Sequence, residues 1–254
     1  MCNAIELNNV AIALLSNKQN SKAVSTLGDA MLHLREQFEQ DKTERPSQRN
    51  SLDHGINFEF ASTATTSTID VRRVCISGNS FAATADSSTF NFFNYALAID
   101  TKHGGNRFQI ASLTIQSELT AVLIYNLGIA HHNEGILRGD SEHLRTALHC
   151  YNMSRSILED DNRENDWVDP SILYCEAHDM KTLLLLALYN NMGHVYSFHY
   201  LDVNMSRNCM QRMSEILRDM DTSCLLDEEE HLQFYVTLMM AGSSGQILSI
   251  APAA

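Results

Sequence analysis

The stretch YNLGIAHHNEG, residues 125–135, sets His131, His132 and Glu134 close together. Imidazole and carboxylate donors are what a zinc enzyme uses to hold its ion. The spacing argues against a shared metal. Adjacent helical residues point about 100° apart, so His131 and His132 cannot both face one ion from a helix. A zinc helix offers histidines at i and i+4, as in H-E-x-x-H, and no such pair occurs in the chain. Neither histidine is therefore expected to hold an ion.

Other stretches carry weaker chemistry. DDNRENDWVDPS (160–171) alternates oxygen ligands as a calcium loop does, but lacks the glycine at the sixth place and the glutamate at the twelfth. It reads as a solvated acidic loop. GNSFA (78–82) half-matches the nucleophile elbow Gly-x-Ser-x-Gly; without the second glycine or an alternating strand–helix pattern it reads as a turn. There is no glycine-rich phosphate loop and no Cys–His constellation. A non-catalytic protein without cofactor or bound metal is expected.

The composition supports that expectation. With 44% hydrophobic and 19% charged residues, the 254-residue chain is an ordinary globular sequence. Only 3 prolines and 11 glycines punctuate it, which favours long helices over a many-turned sandwich. A net charge of −13 disfavours nucleic acid and anionic membrane surfaces as partners. Six cysteines stand singly, at 2, 75, 150, 175, 209 and 224, an intracellular pattern rather than a disulfide framework. The N-terminus has an acid and no base ahead of a short apolar run, so a secretory leader is not expected. The cytoplasm, with the nucleus as the alternative, is the expected location.

The elements that position these residues are mostly helical. Residues 4–40 read as a helical hairpin, with Leu7, Val10, Ala11 and Leu14 on one helix and Ala23, Leu27, Ala30 and Leu34 on the next; Ser21 is placed as an N-cap. Residues 41–68 lose all periodicity and read as a flexible linker. Residues 69–109 hold two runs rich in Val, Ile, Phe and Thr, IDVRRVCISG and STFNFFNYALAID, read as a β-hairpin insertion, although the second run also admits a helix. Residues 110–241 return to helical spacing: a long helix ending near Gly135, its partner capped by Ser141, a second pair, and a terminal helix from DEEEHLQFYVTLMMAG. Residues 242–254 read as a frayed tail, and the whole as one domain. Met205, Met210, Met213, Met220, Met239 and Met240 recur at helical spacing and are expected mostly as core.

One pattern recurs through the helix pairs. Leu7, Val10, Ala11, Leu14 with Ala23, Leu27, Ala30 is the first copy; Ile124, Leu127, Gly128, His131 with Ala147, Tyr151, Ser154 the second; Tyr189, Met192, Gly193, Tyr196 with Ser206, Met210, Met213 the third. This resembles the tetratricopeptide repeat (TPR), in which small residues let paired helices approach and large ones fill the space between. The overall cast is similar to TPR-like proteins of diatoms. The resemblance implies an all-α fold of antiparallel hairpins, an α-solenoid, interrupted by the small strand-bearing insertion. Two features depart from the family: 65 residues separate Gly128 from Gly193, against a period of about 34, and the proline after the second helix is absent.

Asn9, Asn126 and Asn191 fall at the same repeat position, two before the small residue. In the family that position faces the concave groove, where an amide can pair with both N–H and C=O of an extended chain. The resemblance therefore implies a peptide groove built from Asn9, Ile12, Tyr125, Asn126, Ile129, His132, Asn190, Asn191 and His194, with Asn8 and Ser197 beside them. Asn8 and Asn190 stand where carboxylate-clamping lysines are found in chaperone-binding members, so a neutral or partly apolar peptide suits this groove. The implied function is an interaction scaffold for a peptide or helix of another protein. The alternatives are a structural subunit or homodimer of a larger assembly, and less readily a metal-dependent hydrolase.

Overall fold

Apolar positions at helical spacing in the first 44 residues form two packed helices, α1 (Cys2–Ser16) and α2 (Asn20–Glu44), in the computed structural model of the chain. It describes residues 2–44, 70–76, 90, 92–100, 113–164, 177–219 and 232–240. Ala4, Ala11 and Leu15 of α1 are buried with Ala23, Leu27 and Ala30 of α2. The turn between them closes with Lys18 in the left-handed region (φ 57°) and the Gln19 amide donating to Leu14 O. Ser21 does not cap α2, which starts a residue earlier; its hydroxyl instead donates to Glu134 Oε1 at 2.9 Å. Of the expected linker 41–68, residues 41–44 continue α2 and the remainder lies outside the described residues.

The β-hairpin expectation holds at its two strands. β1 (Asp70–Cys75) and β2 (Tyr95–Asp100) pair antiparallel, from Asp70 opposite Asp100 to Cys75 opposite Tyr95. Ala96, Leu97, Ala98 and Ile99 are all buried, so both faces of β2 are covered, and the strand reads as a continuous apolar run for that reason. It packs against α1 and α3.

α3 (Leu113–Arg138) and α4 (Ser141–Glu164) form the next pair. α3 passes through Gly135 rather than ending there. A Cβ on Gly135 would come within 2.7 Å of Leu144 of α4, so this glycine serves close approach, not a stop. The stop is Gly139, at φ 64°. Asp140, not Ser141, caps α4: its Oδ1 accepts the Glu142 amide at 2.8 Å. The acidic stretch read as a loop is helical as far as Glu164, its remainder lying outside the described residues along with GNSFA and the tail.

α5 (Ala177–His194) runs directly into a π-helical turn, Val195–His199. α6 (Val203–Asp219) follows, with Asp202 Oδ1 accepting the Asn204 and Met205 amides. It buries Ser206, Cys209, Met213 and Leu217 on one stripe. α7 (232–240) places Phe234 against Phe93, ring centroids 5.1 Å apart. Of the methionines, Met213 is core, Met210 half-buried, and Met205, Met239 and Met240 are exposed. Each helix from α1 to α6 packs on the next in sequence, and α1 touches α3 as α3 touches α5. Among the described residues no helix is long and apolar enough to cross a membrane.

Candidate functional site

The three repeat-position asparagines converge on one extended segment of the chain itself. Asn191 of α5 accepts the Phe93 amide at 2.9 Å and donates to Phe93 O at 3.2 Å. Asn126 of α3 accepts the Leu97 amide and donates to Leu97 O, both at 2.9 Å. Asn9 of α1 accepts the Ile99 amide at 3.0 Å and donates to Ile99 O at 2.8 Å. The remaining odd-numbered residue, Tyr95, accepts from the Tyr125 hydroxyl at 2.9 Å.

Strand geometry explains this register. Successive backbone groups point to opposite edges, so odd-numbered residues face the helices while even-numbered ones face β1. Consistent with this, Asn94 O accepts the Ile76 amide beyond the end of β1. The asparagine side chains thus take the edge at which a further strand would pair.

Most expected groove residues are withdrawn from solvent. Ile12, Tyr125, Asn126, Ile129, His132, Asn190 and Asn191 are buried, while Asn9 and His194 are half-buried. Asn8 is also buried; its Nδ2 donates to Leu97 O at 3.1 Å and its Oδ1 accepts from Asn126 Nδ2 at 2.8 Å. Asn190 Nδ2 donates to Asn191 Oδ1. Burial holds the Tyr125 hydroxyl well above the ordinary tyrosine range.

The small residues divide their work. A Cβ on Gly128 would meet the Tyr151 ring of α4, the helix-pair contact that the repeat pattern implies. A Cβ on Gly193 would instead meet the ring of Phe90, so this glycine makes room for the inserted segment.

The histidines of the opening motif separate. His131 Nδ1 lies 2.9 Å from His143 Nδ1 of α4. Glu134, 3% exposed, pairs with Arg138 and accepts from Ser21. His132 turns the other way, with Nδ1 at 3.0 Å from the Tyr151 hydroxyl and Nε2 at 3.1 Å from His194 Nδ1. His199 completes a cluster, its ring 5.7 Å from His194 and 6.5 Å from His132. The Phe92 ring lies over His132 at 4.1 Å. Burial, reinforced by the neighbouring imidazoles, pushes His132 well below the ordinary histidine range and His194 down to about 3. Burial also lowers His199.

The local sequence signature of a zinc helix is a pair of histidines four apart, which this cluster lacks. His194 and His199 are five apart, and local sequence spacing does not encode a π turn.

No protein-family model, no curated protein and no solved structure matches the chain.

Proposed function

We propose that the chain is a non-catalytic interaction module of TPR-like helical hairpins. In this reading α1, α3 and α5 form a concave face that binds an extended peptide of another protein through asparagine amides. Residues 92–99 hold the groove as an internal ligand, and a partner strand takes their place. One observation supports this most: three amides at equivalent positions on alternate helices each donate to and accept from one residue of a single extended segment. Such main-chain pairing is indifferent to side-chain identity, so another strand of similar shape meets the same donors and acceptors. The bound sequence, FNFFNYALAID (90–100), is apolar and nearly uncharged, which indicates the chemistry of a competing peptide.

The test weakens the internal ligand and offers it back. Leu97→Glu puts a charge on a buried strand position, and fluorescence anisotropy then follows a labelled FNFFNYALAID peptide added in trans. Binding to folded Leu97→Glu, weaker binding to wild type, and loss in Leu97→Glu/Asn126→Ala support the groove. Cooperative unfolding of Leu97→Glu with no peptide rescue would make the segment a permanent part of the core and sink the proposal.

A further inference from the structure

The imidazoles beneath Phe92 have the donor set of a transition-metal site. His132 comes from α3, His194 from the end of α5, and His199 from the π turn. On an α-helix, residues five apart point about 140° from each other, too far to share an ion. A π turn, bonded i to i+5, brings such residues to one side. One ligating nitrogen from each ring lies within 4.8 Å of those of the other two. His132 Nε2 and His194 Nδ1 are already 3.1 Å apart. Two ligands of one tetrahedral zinc, each at about 2.0–2.1 Å, stand about 3.4 Å apart, so small side-chain rotations close the set.

A second observation points to a ligand. His199 Nε2 is buried and has no hydrogen-bond partner among the described residues. A buried polar atom left unmatched is costly, and a metal bond would satisfy it. The Tyr151 hydroxyl holds His132 from behind at Nδ1. With Nδ1–H donating to that hydroxyl, Nε2 carries the lone pair, which a metal would take in place of the His194 contact; outer partners orient ligating imidazoles in this way. Burial keeps all three rings neutral, the state that binds metal. The group contains no carboxylate, which disfavours Ca²⁺ and Mg²⁺ and suits zinc and its neighbours.

We infer that His132, His194 and His199 form a site for a divalent transition metal, Zn²⁺ foremost, tying α3 to the end of α5 beneath Phe92. Three protein ligands leave a fourth position for water. Two of its ligands, His132 and His194, also belong to the proposed groove, but the metal site needs only the imidazoles and no peptide bound there. The His131–His143 pair serves as an internal control, since among the described residues it belongs to no group of three such ligands.

The experiment titrates Co²⁺ into the full-length, chelator-stripped protein, follows the visible d–d absorption of a tetrahedral site, and then displaces Co²⁺ with Zn²⁺. One equivalent should bind, and Zn²⁺ should raise the thermal midpoint. His199→Gln and His194→Ala should each abolish stoichiometric binding. Tyr151→Phe should weaken it by about 10-fold, the lower end for an outer partner. His143→Ala should leave it unchanged. No binding by wild type, or undiminished binding by His199→Gln and His194→Ala, overturns the site. Should His194→Ala fail to fold, the half-exposed His199→Gln variant and the wild-type spectrum decide.

Discussion

Asn126 of α3 and Leu97 of β2 exchange two hydrogen bonds, amide to Oδ1 and Nδ2 to carbonyl, each at 2.9 Å. Both residues are buried, so neither backbone group of Leu97 has water as a substitute. With Asn191 at Phe93, Tyr125 at Tyr95 and Asn9 at Ile99, side chains bond every odd-numbered residue from 93 to 99 along one edge of the segment. A strand edge inside a helical protein would otherwise leave buried donors and acceptors unmatched.

Asn126→Ala should therefore cost about 3 kcal/mol, because the buried Leu97 amide loses its acceptor, Leu97 O keeps only Asn8 Nδ2, and Asn8 Oδ1 loses its donor. Asn9→Ala should cost about 1 kcal/mol, since Asn9 is half-buried and water can reach the vacated groups. Urea unfolding followed by circular dichroism gives both values. Equal losses in the two variants would show that burial does not set the strength of the amide clamp.

Glycine substitutions should separate close approach from mere helix placement. Gly128→Ala meets the Tyr151 ring and Gly193→Ala meets Phe90, both buried aromatics, so each should destabilise by about 1–3 kcal/mol. Gly28 has nothing within 4 Å of its would-be Cβ. Gly28→Ala should stabilise α2 by up to about 1 kcal/mol through helix propensity alone. Thermal midpoints of the three variants should move in opposite directions, two down and one up.

Much of this architecture was legible in the sequence, for a physical reason. Helical periodicity and the small residues Ala11 and Gly128 report local packing, and each can be read from neighbours a few positions away. The shared position of Asn9, Asn126 and Asn191 was visible too, as was its capacity to hold an extended backbone. That the extended chain would be residues 92–99 was not visible, because nothing local links Asn191 to Phe93, 98 positions apart. The helix starts differ from the expected caps, by two residues at Ser21 and one at Ser141, for the opposite reason. Ser21 and Ser141 are good cap types, but tertiary partners and the neighbouring Asp140 decide where each helix starts. The histidine cluster needed both a long-range contact and a π turn, and local spacing encodes neither.

Thiol chemistry should report the core directly. Cys75 is exposed on β1, whereas Cys150 and Cys209 are buried. Burial pushes the Cys150 thiol up to about 11 and the Cys209 thiol up to about 12, so neither presents a thiolate near neutrality. In the folded protein, alkylation mapped by mass spectrometry should modify Cys75 rapidly and leave Cys150 and Cys209 intact until denaturant is added. Early labelling of Cys209 would show that α6 opens from α5 well below global unfolding.

Acid should weaken the metal-free fold through the same three imidazoles. His132, His194 and His199 all have folded-state pKa values below the ordinary 6.5, His194 at about 3. Above pH 6.5 both folded and unfolded chains carry these rings neutral, and they contribute no pH dependence. As pH falls below 6.5 the unfolded chain takes up protons that the folded chain refuses, so stability declines, and His194 continues to draw it down until about pH 3. Each such proton steepens the decline by about 1.4 kcal/mol per pH unit. Urea unfolding of chelator-treated protein between about pH 7.5 and about pH 5.5 should show this slope, and His199→Gln should lessen it while His132 and His194 keep the remainder. A flat profile in the wild type would mean that the rings titrate in the folded protein as they do in water. With Zn²⁺ added the plateau should rise and the fall should become steeper, because protons then compete with the metal for the same nitrogens.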